Sequence, residues 1–449
     1  MRVGEFPKLL LPCCAVLFAL SSQNSAAATL CVNASNASCY STINAAVSHA
    51  NPYDEINVVA GRYKEDVIIG IPLSLIGGGA GTSIIDATGM PNGVFVDGYD
   101  HPGLTHVTVA GFTIKNAQFE GVLVVSANDV TIRDNTIEDN DQSPAVFTGD
   151  PHGCAGQPAF ETDETGDCGG GLHLIGVWNS NVSGNLITRN DDGILISDET
   201  AETHDILVYH NMVTNNPGEC GIVLASHSPV GSKPPHFAPH HGIDHITVSE
   251  NTSENNGVQV GGSGIGIFSD GAGPGRNSDN VIIHNTMTGN GLGGFALHTH
   301  VGPAFGAPAD NMNNNMIIGN KISGNLPDLD DTATPGSVGI NINSGGGGTP
   351  VWGTIISQNV ITDEDYDITV NTPGTVNIHL NDLLGGKVGV ANICAFDKAP
   401  CTGHVDATQN YWGCPSGPGH SGCSSVSGGE LRWGPALYKP ATNGDQGAN

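Results

Sequence analysis

Basic residues are scarce in this chain: 449 residues carry 14 Lys and Arg against 44 Asp and Glu, a formal net charge of −30 at pH 7. Nucleic acid and anionic membrane surfaces are excluded as partners, because both repel an acidic protein. A long polyanionic substrate is disfavoured too, since it would need bridging cations or a basic groove, and Arg133, Arg189, Lys233 and Arg276 do not cluster along the chain. Aromatic residues make up only 5%, which leaves little for stacking sugars. Runs of Val and Ile never reach the length of an amphipathic helix. The apolar stretch Leu9 to Leu20 is too short to span a bilayer. With Arg2 and Lys8 ahead of it and Ser25 to Ala28 behind, it reads as a signal segment, residues 1–28. The expected product is exported, secreted or periplasmic, monomeric and not membrane-spanning.

Export permits disulfides, and Cys31 with Cys39, Cys154 with Cys168, Cys394 with Cys401 and Cys414 with Cys423 are closely spaced. Cys220 is left over as a packed thiol, a partner for Cys168 or a functional thiol, and is not read as a nucleophile.

What the chain has in abundance is glycine, 64 residues, and a recurring asparagine frame. A polar residue, Asn, any residue, an aliphatic one, any residue, a polar one and Asn return at Asn135/Asn140, Asn185/Asn190, Asn211/Asn216, Asn251/Asn256, Asn285/Asn290 and Asn320/Asn325, with Asn359 and Asn381 as partial continuations. The closest repeats are 26 residues apart, and each carries short alternating apolar runs such as Ile206/Val208 and Ile246/Val248. Periodic short strands mean a solenoid. Stacked coils lie about 4.8 Å apart, so a buried Asn at a turn can bond to the Asn of the next coil. Gly and Asn supply the corners that each lap needs.

Near the start, Ser41 caps a short amphipathic stretch (Ile43, Ala46, Val47) that stops at Pro52. There follow Ile56 to Val59, then Gly61, Tyr63 and Glu65, then Leu73, Leu75 and Gly77. This resembles the opening coil of the right-handed parallel β-helix proteins, the pectate-lyase-like superfamily that includes pectin esterases, polygalacturonases, alginate epimerases and NosD-like periplasmic proteins. Asn410, Tyr411, Trp412 and Gly413 with Gly417 and Pro418 are similar to the closing segment of secreted bacterial members. The resemblance implies an all-β, right-handed parallel β-helix with a short N-terminal capping helix. Residues 29–100 would form the cap and opening coils, 101–412 the helix with inserted loops, and 413–449 the C-terminal cap and tail.

Superposing the strand after each second Asn on a glycine aligns Gly171, Gly193, Gly221, Gly264, Gly294 and Gly339. The first and third residues after it are apolar in every coil, for example Ile194/Ile196 and Phe295/Leu297, and point to the core. The second, fourth and sixth point outward. The sixth position reads Glu199, His227, Asp270 and His300 on four successive coils. Ser197, His298 and Asn343 at the fourth position, and His173 and Asn341 at the second, lie beside that row. Long insertions flank the same strands: Gln142 to Gly169, Ser228 to His241 with His236 and His240, Val301 to Asp310, and Leu326 to Pro335 with Asp328, Asp330 and Asp331. Loops longer than the repeat requires usually carry function.

Motifs of the known enzymes are sparse. Asn190-Asp191-Asp192-Gly193 is similar to the paired aspartates of polygalacturonases but lacks their Gly-His-Gly, and Asp150-Pro151-His152 is similar to the Asp-Pro-His of alginate epimerases with Gly153 in place of an acidic residue. Three readings stand at this point. One is a secreted polysaccharide hydrolase, lyase or epimerase acting on a polysaccharide or cell-surface glycan. In it Glu199 and Asp270 would be the acid/base pair, two coils apart as suits an inverting hydrolase. His227 and His300 would position substrate, or would join Asp270 in holding a divalent metal as cofactor, and His173, Ser197, His298 and Asn343 would contact substrate. Another is a noncatalytic glycan- or surface-binding solenoid. The third is a metal-handling periplasmic protein of NosD-like kind. Outward polar residues are expected to contribute little to stability.

Overall fold

The computed structural model describes residues 27–141, 158, 160, 169–232, 238–270, 274–300, 306, 308–330, 333–344, 348–393 and 403–442. The expected signal segment up to residue 26, the expected pairings Cys154/Cys168 and Cys394/Cys401, the Asp150-Pro151-His152 motif, His236 and Asp331 lie outside the described residues. Among the described residues no helix is long and apolar enough to cross a membrane.

Three parallel sheets of 16, 12 and 11 strands run the length of the molecule. Each lap gives one strand to each sheet: Asn128–Arg133 to the first, Thr136–Glu138 to the second and Gly170–Ile175 to the third, after which Trp178–Ser183 stacks on Asn128–Arg133. The architecture is the expected parallel β-helix. Its core is one apolar column in which Leu172/Leu174, Ile194/Ile196, Ile222/Leu224, Ile265/Ile267, Phe295/Leu297 and Ile340/Ile342 are all fully buried. The anchor glycines are required by the stacking distance: a Cβ on Gly193 would lie 2.1 Å from the Gly221 carbonyl oxygen, and one on Gly264 2.7 Å from that of Gly294.

The asparagines form two continuous ladders. In the first, Asn135, Asn185, Asn211, Asn251, Asn285, Asn320, Asn359 and Asn381 each donate through Nδ2 to the Oδ1 of the next, and the last donates to Asn410. Asn140, Asn190, Asn216, Asn256, Asn290 and Asn325 form the second. The residue ahead of each Asn takes a left-handed backbone, a glycine at Gly184, Gly289, Gly319 and Gly324 and a larger residue elsewhere, as at His210 (φ 53°), Glu250 (56°), Asn215 (59°) and Asn255 (55°). That conformation is costly outside glycine, and the ladder bonds on the following residue offset it. Replacing Asn251 with Leu removes its bonds to Asn285 Oδ1 and Val208 O and those it accepts from the Asn211 N–H and Nδ2. Urea unfolding should show a loss of about 3 kcal/mol, because buried polar groups are left unsatisfied; an unchanged midpoint would refute the ladder's role.

The second ladder ends on an acid. Glu364 Oε1 accepts from Asn325 N and Nδ2, both at 2.9 Å, and burial pushes its carboxyl up to about 7 against an ordinary value of 4.5. A raised carboxyl favours folding fully below its unfolded value, and this contribution is lost as pH rises through about 7. Glu364→Gln keeps the acceptor without a charge to bury. Its melting temperature should exceed that of the native chain at pH 8 by more than at pH 5, and equal shifts at both would refute this account.

At the N-terminal end the helix Ile43–Val47 covers the core, with Thr42 rather than Ser41 as its cap, accepting from the Ala45 N–H at 3.2 Å. The correction has a local cause. Glu65 accepts from the Ile43 and Asn44 N–H groups at 2.8 and 2.9 Å, satisfying first-turn donors that a helix leaves open. Disulfides join Cys31 to Cys39 and Cys414 to Cys423. Cys220 is a buried thiol whose Sγ accepts from the Ser263 N–H at 3.2 Å. Burial pushes it far up, so it is a packed thiol in the described structure.

Candidate functional site

The third sheet carries the expected row. Ser197, Ala225, Phe268, His298 and Asn343 stand in register on successive strands, and Glu199, His227, Asp270 and His300 follow two residues further along. Most of these outward positions are buried. Glu199, His173, Ser197, His298 and Asn343 are wholly buried, and His227 nearly so. These residues point away from the apolar column; from the insertions, Asp328 and Asp330 meet His298, and His240 meets Asp270.

Instead of one line of ligands, the polar groups form three connected sets. The first runs along the helix axis. Glu120 Oε1 meets His173 Nδ1 at 3.2 Å, His173 Nε2 meets Ser197 Oγ at 2.8 Å, Ser197 donates to Glu199 Oε2 at 2.5 Å, and Glu199 Oε1 meets His227 Nδ1 at 2.8 Å. Burial alone would raise the Glu199 carboxyl, yet His227, His173 and Ser197 outweigh it and hold it below its ordinary value. Its two oxygens are taken by Ser197 and His227, so it serves to orient His227.

The second set surrounds His240. Its Nδ1 lies 2.9 Å from Ser226 Oγ and its Nε2 3.0 Å from Asp270 Oδ1. Behind it, Asp198 accepts from the His227 N–H at 2.8 Å, from Ser226 Oγ at 3.2 Å and from the Gly242 N–H. Asp270 Oδ2 accepts from the Ser228 N–H and Oγ, both at 2.9 Å, and its side chain keeps 13% exposure. Asp310 closes the group through Gly275, whose N–H it accepts at 2.8 Å. Gly275 allows a crowded approach here: a Cβ would lie 2.9 Å from Asp310 Oδ1 and 3.2 Å from His240 Nδ1. Burial opposes charge on His240, but bonding to Asp270 and the fields of Asp270, Asp198 and Asp310 raise its pKa. Burial lifts Asp198 to about 7 and Asp310 to about 6.

At the far end, His298 lies between two aspartates of the loop after Leu326, with Nε2 2.8 Å from Asp328 Oδ2 and Nδ1 3.2 Å from Asp330 Oδ2. His300 Nε2 lies 3.3 Å from the same Asp330 oxygen. Burial disfavours an imidazolium at His298, but the two carboxylates outweigh it and push the pKa up to about 10. Burial would raise Asp330 in turn, and the two imidazoles hold it well below the usual carboxylate range. Phe268 packs edge-on to His298 at 5.2 Å and lies 6.1 Å from His300.

Of the four residues expected to be catalytic, Glu199 and His227 meet each other, Asp270 meets His240, and His300 meets Asp330. The metal set His227, Asp270 and His300 does not converge. Among the described residues the one group of three ligand-bearing side chains whose atoms all lie within 4.8 Å is His298, His300 and Asp330. The four expected substrate contacts, His173, Ser197, His298 and Asn343, are all closed off; Asn343 accepts from Asn371 Nδ2 at 3.1 Å. The sequence marks the insertions holding His240, Asp310, Asp328 and Asp330 without giving these residues roles, and does not mark Glu120, Asp198 or Phe268. Phe268 was readable, since it occupies the fourth position of its strand.

A family model described as a right-handed beta helix region matches residues 75–237. The chain is a right-handed parallel β-helix. Among solved structures, this β-helix is similar to the Dettilon tailspike protein, with TM-score 0.56 and 15% identity over 89% of this chain and 66% of the tailspike. It is also similar to the catalytic unit of a thermostable GH87 α-1,3-glucanase from Streptomyces thermodiastaticus, with TM-score 0.51 and 17% identity over 87% of this chain and 65% of the glucanase. The A-module of an Azotobacter vinelandii mannuronan C-5 epimerase gives TM-score 0.47 and 14% identity over 88% of this chain and 94% of the module. No curated protein sequence matches. At these identities the likeness is one of fold.

Proposed function

We propose that this β-helix is an exported, carbohydrate-active hydrolase that cleaves a neutral polysaccharide on the outer face of its third sheet, with Asp310 as the acid and Asp270 as the base. The observation that carries the reading is that, of the three carboxyl groups gathered around one imidazole, His240, Asp270 and Asp310 lie in unlike surroundings. Asp310 is lifted to about 6 by burial, whereas Asp270 accepts two hydrogen bonds from Ser228 and faces His240. Paired carboxyls with diverging environments are how one site supplies both a proton donor and an acceptor. Asp310 would protonate the glycosidic oxygen as the C–O bond breaks, and Asp270 would take the proton of the attacking water.

Glu199 and His173 belong to the support of this site: they orient His227, which stands beside Asp270 in the row. A net charge of −30 favours a neutral glycan over a polyuronate. The two disulfides suit an oxidising compartment, and the α-1,3-glucanase neighbour shares the fold. Incubating the protein with a panel of neutral and uronate polysaccharides and measuring reducing ends tests the reading. New reducing ends from a neutral glycan are expected; retention on a glycan column without any product would favour a binding solenoid instead.

A further inference from the structure

We propose that His298, His300 and Asp330 form a divalent transition-metal site at the end of the same face, with Asp328 fixing the orientation of His298. Ligand atoms held about 2.1 Å from one ion lie about 3.0 Å apart at a right angle and about 3.4 Å apart at the tetrahedral angle. Asp330 Oδ2 stands 3.2 Å from His298 Nδ1 and 3.3 Å from His300 Nε2, within that interval for both edges. The third edge, between the two imidazole nitrogens, is within 4.8 Å. The spacing arises from the fold, because residues two apart on one strand project on the same side.

Asp328 is the second observation. It is fully buried, and its Oδ2 accepts from His298 Nε2 and from Asn341 Nδ2 at 2.9 Å, while its Oδ1 accepts from the Asp330 N–H at 3.0 Å. A donor at Nε2 leaves Nδ1 as the nitrogen that turns to an ion, and a carboxylate behind a ligating imidazole sets its tautomer and raises its basicity. One loop thus supplies both the ligand Asp330 and the support Asp328. Side-chain exposures of 24% at His300 and 39% at Asp330 leave a way in. Two imidazoles and one carboxylate suit zinc, iron or their neighbours rather than calcium or magnesium, which take oxygen ligands. Three protein ligands leave positions for water or a sugar oxygen.

The competing arrangement is a plain His298–Asp330 ion pair. The full chain, stripped with chelator and dialysed, should be titrated with Zn²⁺ alone by calorimetry and checked for metal content by mass spectrometry. One ion per chain is expected, with affinity falling at least tenfold in both His300→Ala and Asp330→Asn. Asp328→Asn should weaken binding by about 10- to 100-fold. The absorption spectrum of bound Co²⁺ should keep its coordination bands in Asp328→Asn and lose them in Asp330→Asn. Asp330 is the most exposed member, so its variant serves if His300→Ala fails to fold. Absence of stoichiometric Zn²⁺ or Co²⁺ binding, or binding that survives Asp330→Asn and is abolished by His227→Ala, overturns the site. Neither measurement depends on glycan turnover.

Discussion

Asp270→Asn should lower the rate of glycan cleavage by about 10²- to 10⁴-fold, the range that one positioned acid or base supplies. The substitution keeps shape and an acceptor for the Ser228 N–H and Oγ but removes the carboxylate oxygen facing the buried His240 Nε2, so a urea midpoint read beside the rate separates lost proton transfer from lost folding. Asp310→Asn should cost a similar factor and also alter the pH profile. If the proposed role holds, Asp310 acts protonated and loses its proton near pH 6, so kcat/KM of the native chain should fall about tenfold per pH unit above that value. The residual activity of Asp310→Asn should lack that limb. Turnover in Asp270→Asn within twofold of the native rate would remove Asp270 from the mechanism. An unshifted alkaline limb in Asp310→Asn would remove Asp310.

The helix was legible because its signals repeat. The two ladder Asn of a lap stand five residues apart in every full repeat, the residue ahead of each turns the corner, and the anchor glycine sits where the next coil's carbonyl forbids a Cβ. Any of these at one position would mean little; eight successive donors bonding lap to lap fix the register. That register also placed Glu199, His227, Asp270 and His300 in one row. Their partners were not legible, because they come from segments with no period. His240 reaches Ser226 from 14 residues downstream, Asp328 reaches His298 from 30, and Glu120 reaches His173 from 53 upstream. Alternation tells which side of a strand a residue faces, but not whether an insertion lies over that side. The five polar positions beside the row, His173, Ser197, His298, Asn341 and Asn343, point outward and are buried.

Burial of the row reverses the expectation that its members contribute little to stability, and Glu199 is the sharpest case. Its carboxylate is enclosed with the His227 ring at 2.8 Å and the Ser197 hydroxyl at 2.5 Å. Removing it takes the carboxylate away from a buried imidazole and a buried hydroxyl. Breaking a buried pair from one side costs about 3–5 kcal/mol, so Glu199→Ala should lose about that much at pH 7. The sign of the pH dependence follows from the lowered carboxyl. Its stabilisation is fully present above the unfolded value of 4.5 and is lost as pH falls through the lower folded one. The gap between Glu199→Ala and the native chain should therefore narrow below about pH 4. Glu199→Gln, which keeps an acceptor for His227, should lose less than the Ala variant. Urea unfolding of the three proteins at pH 7 and pH 3.5 reads all of this. A loss under 1 kcal/mol at pH 7 would mean that water reaches Glu199, and the row would then face solvent as a strand's outer side ordinarily does.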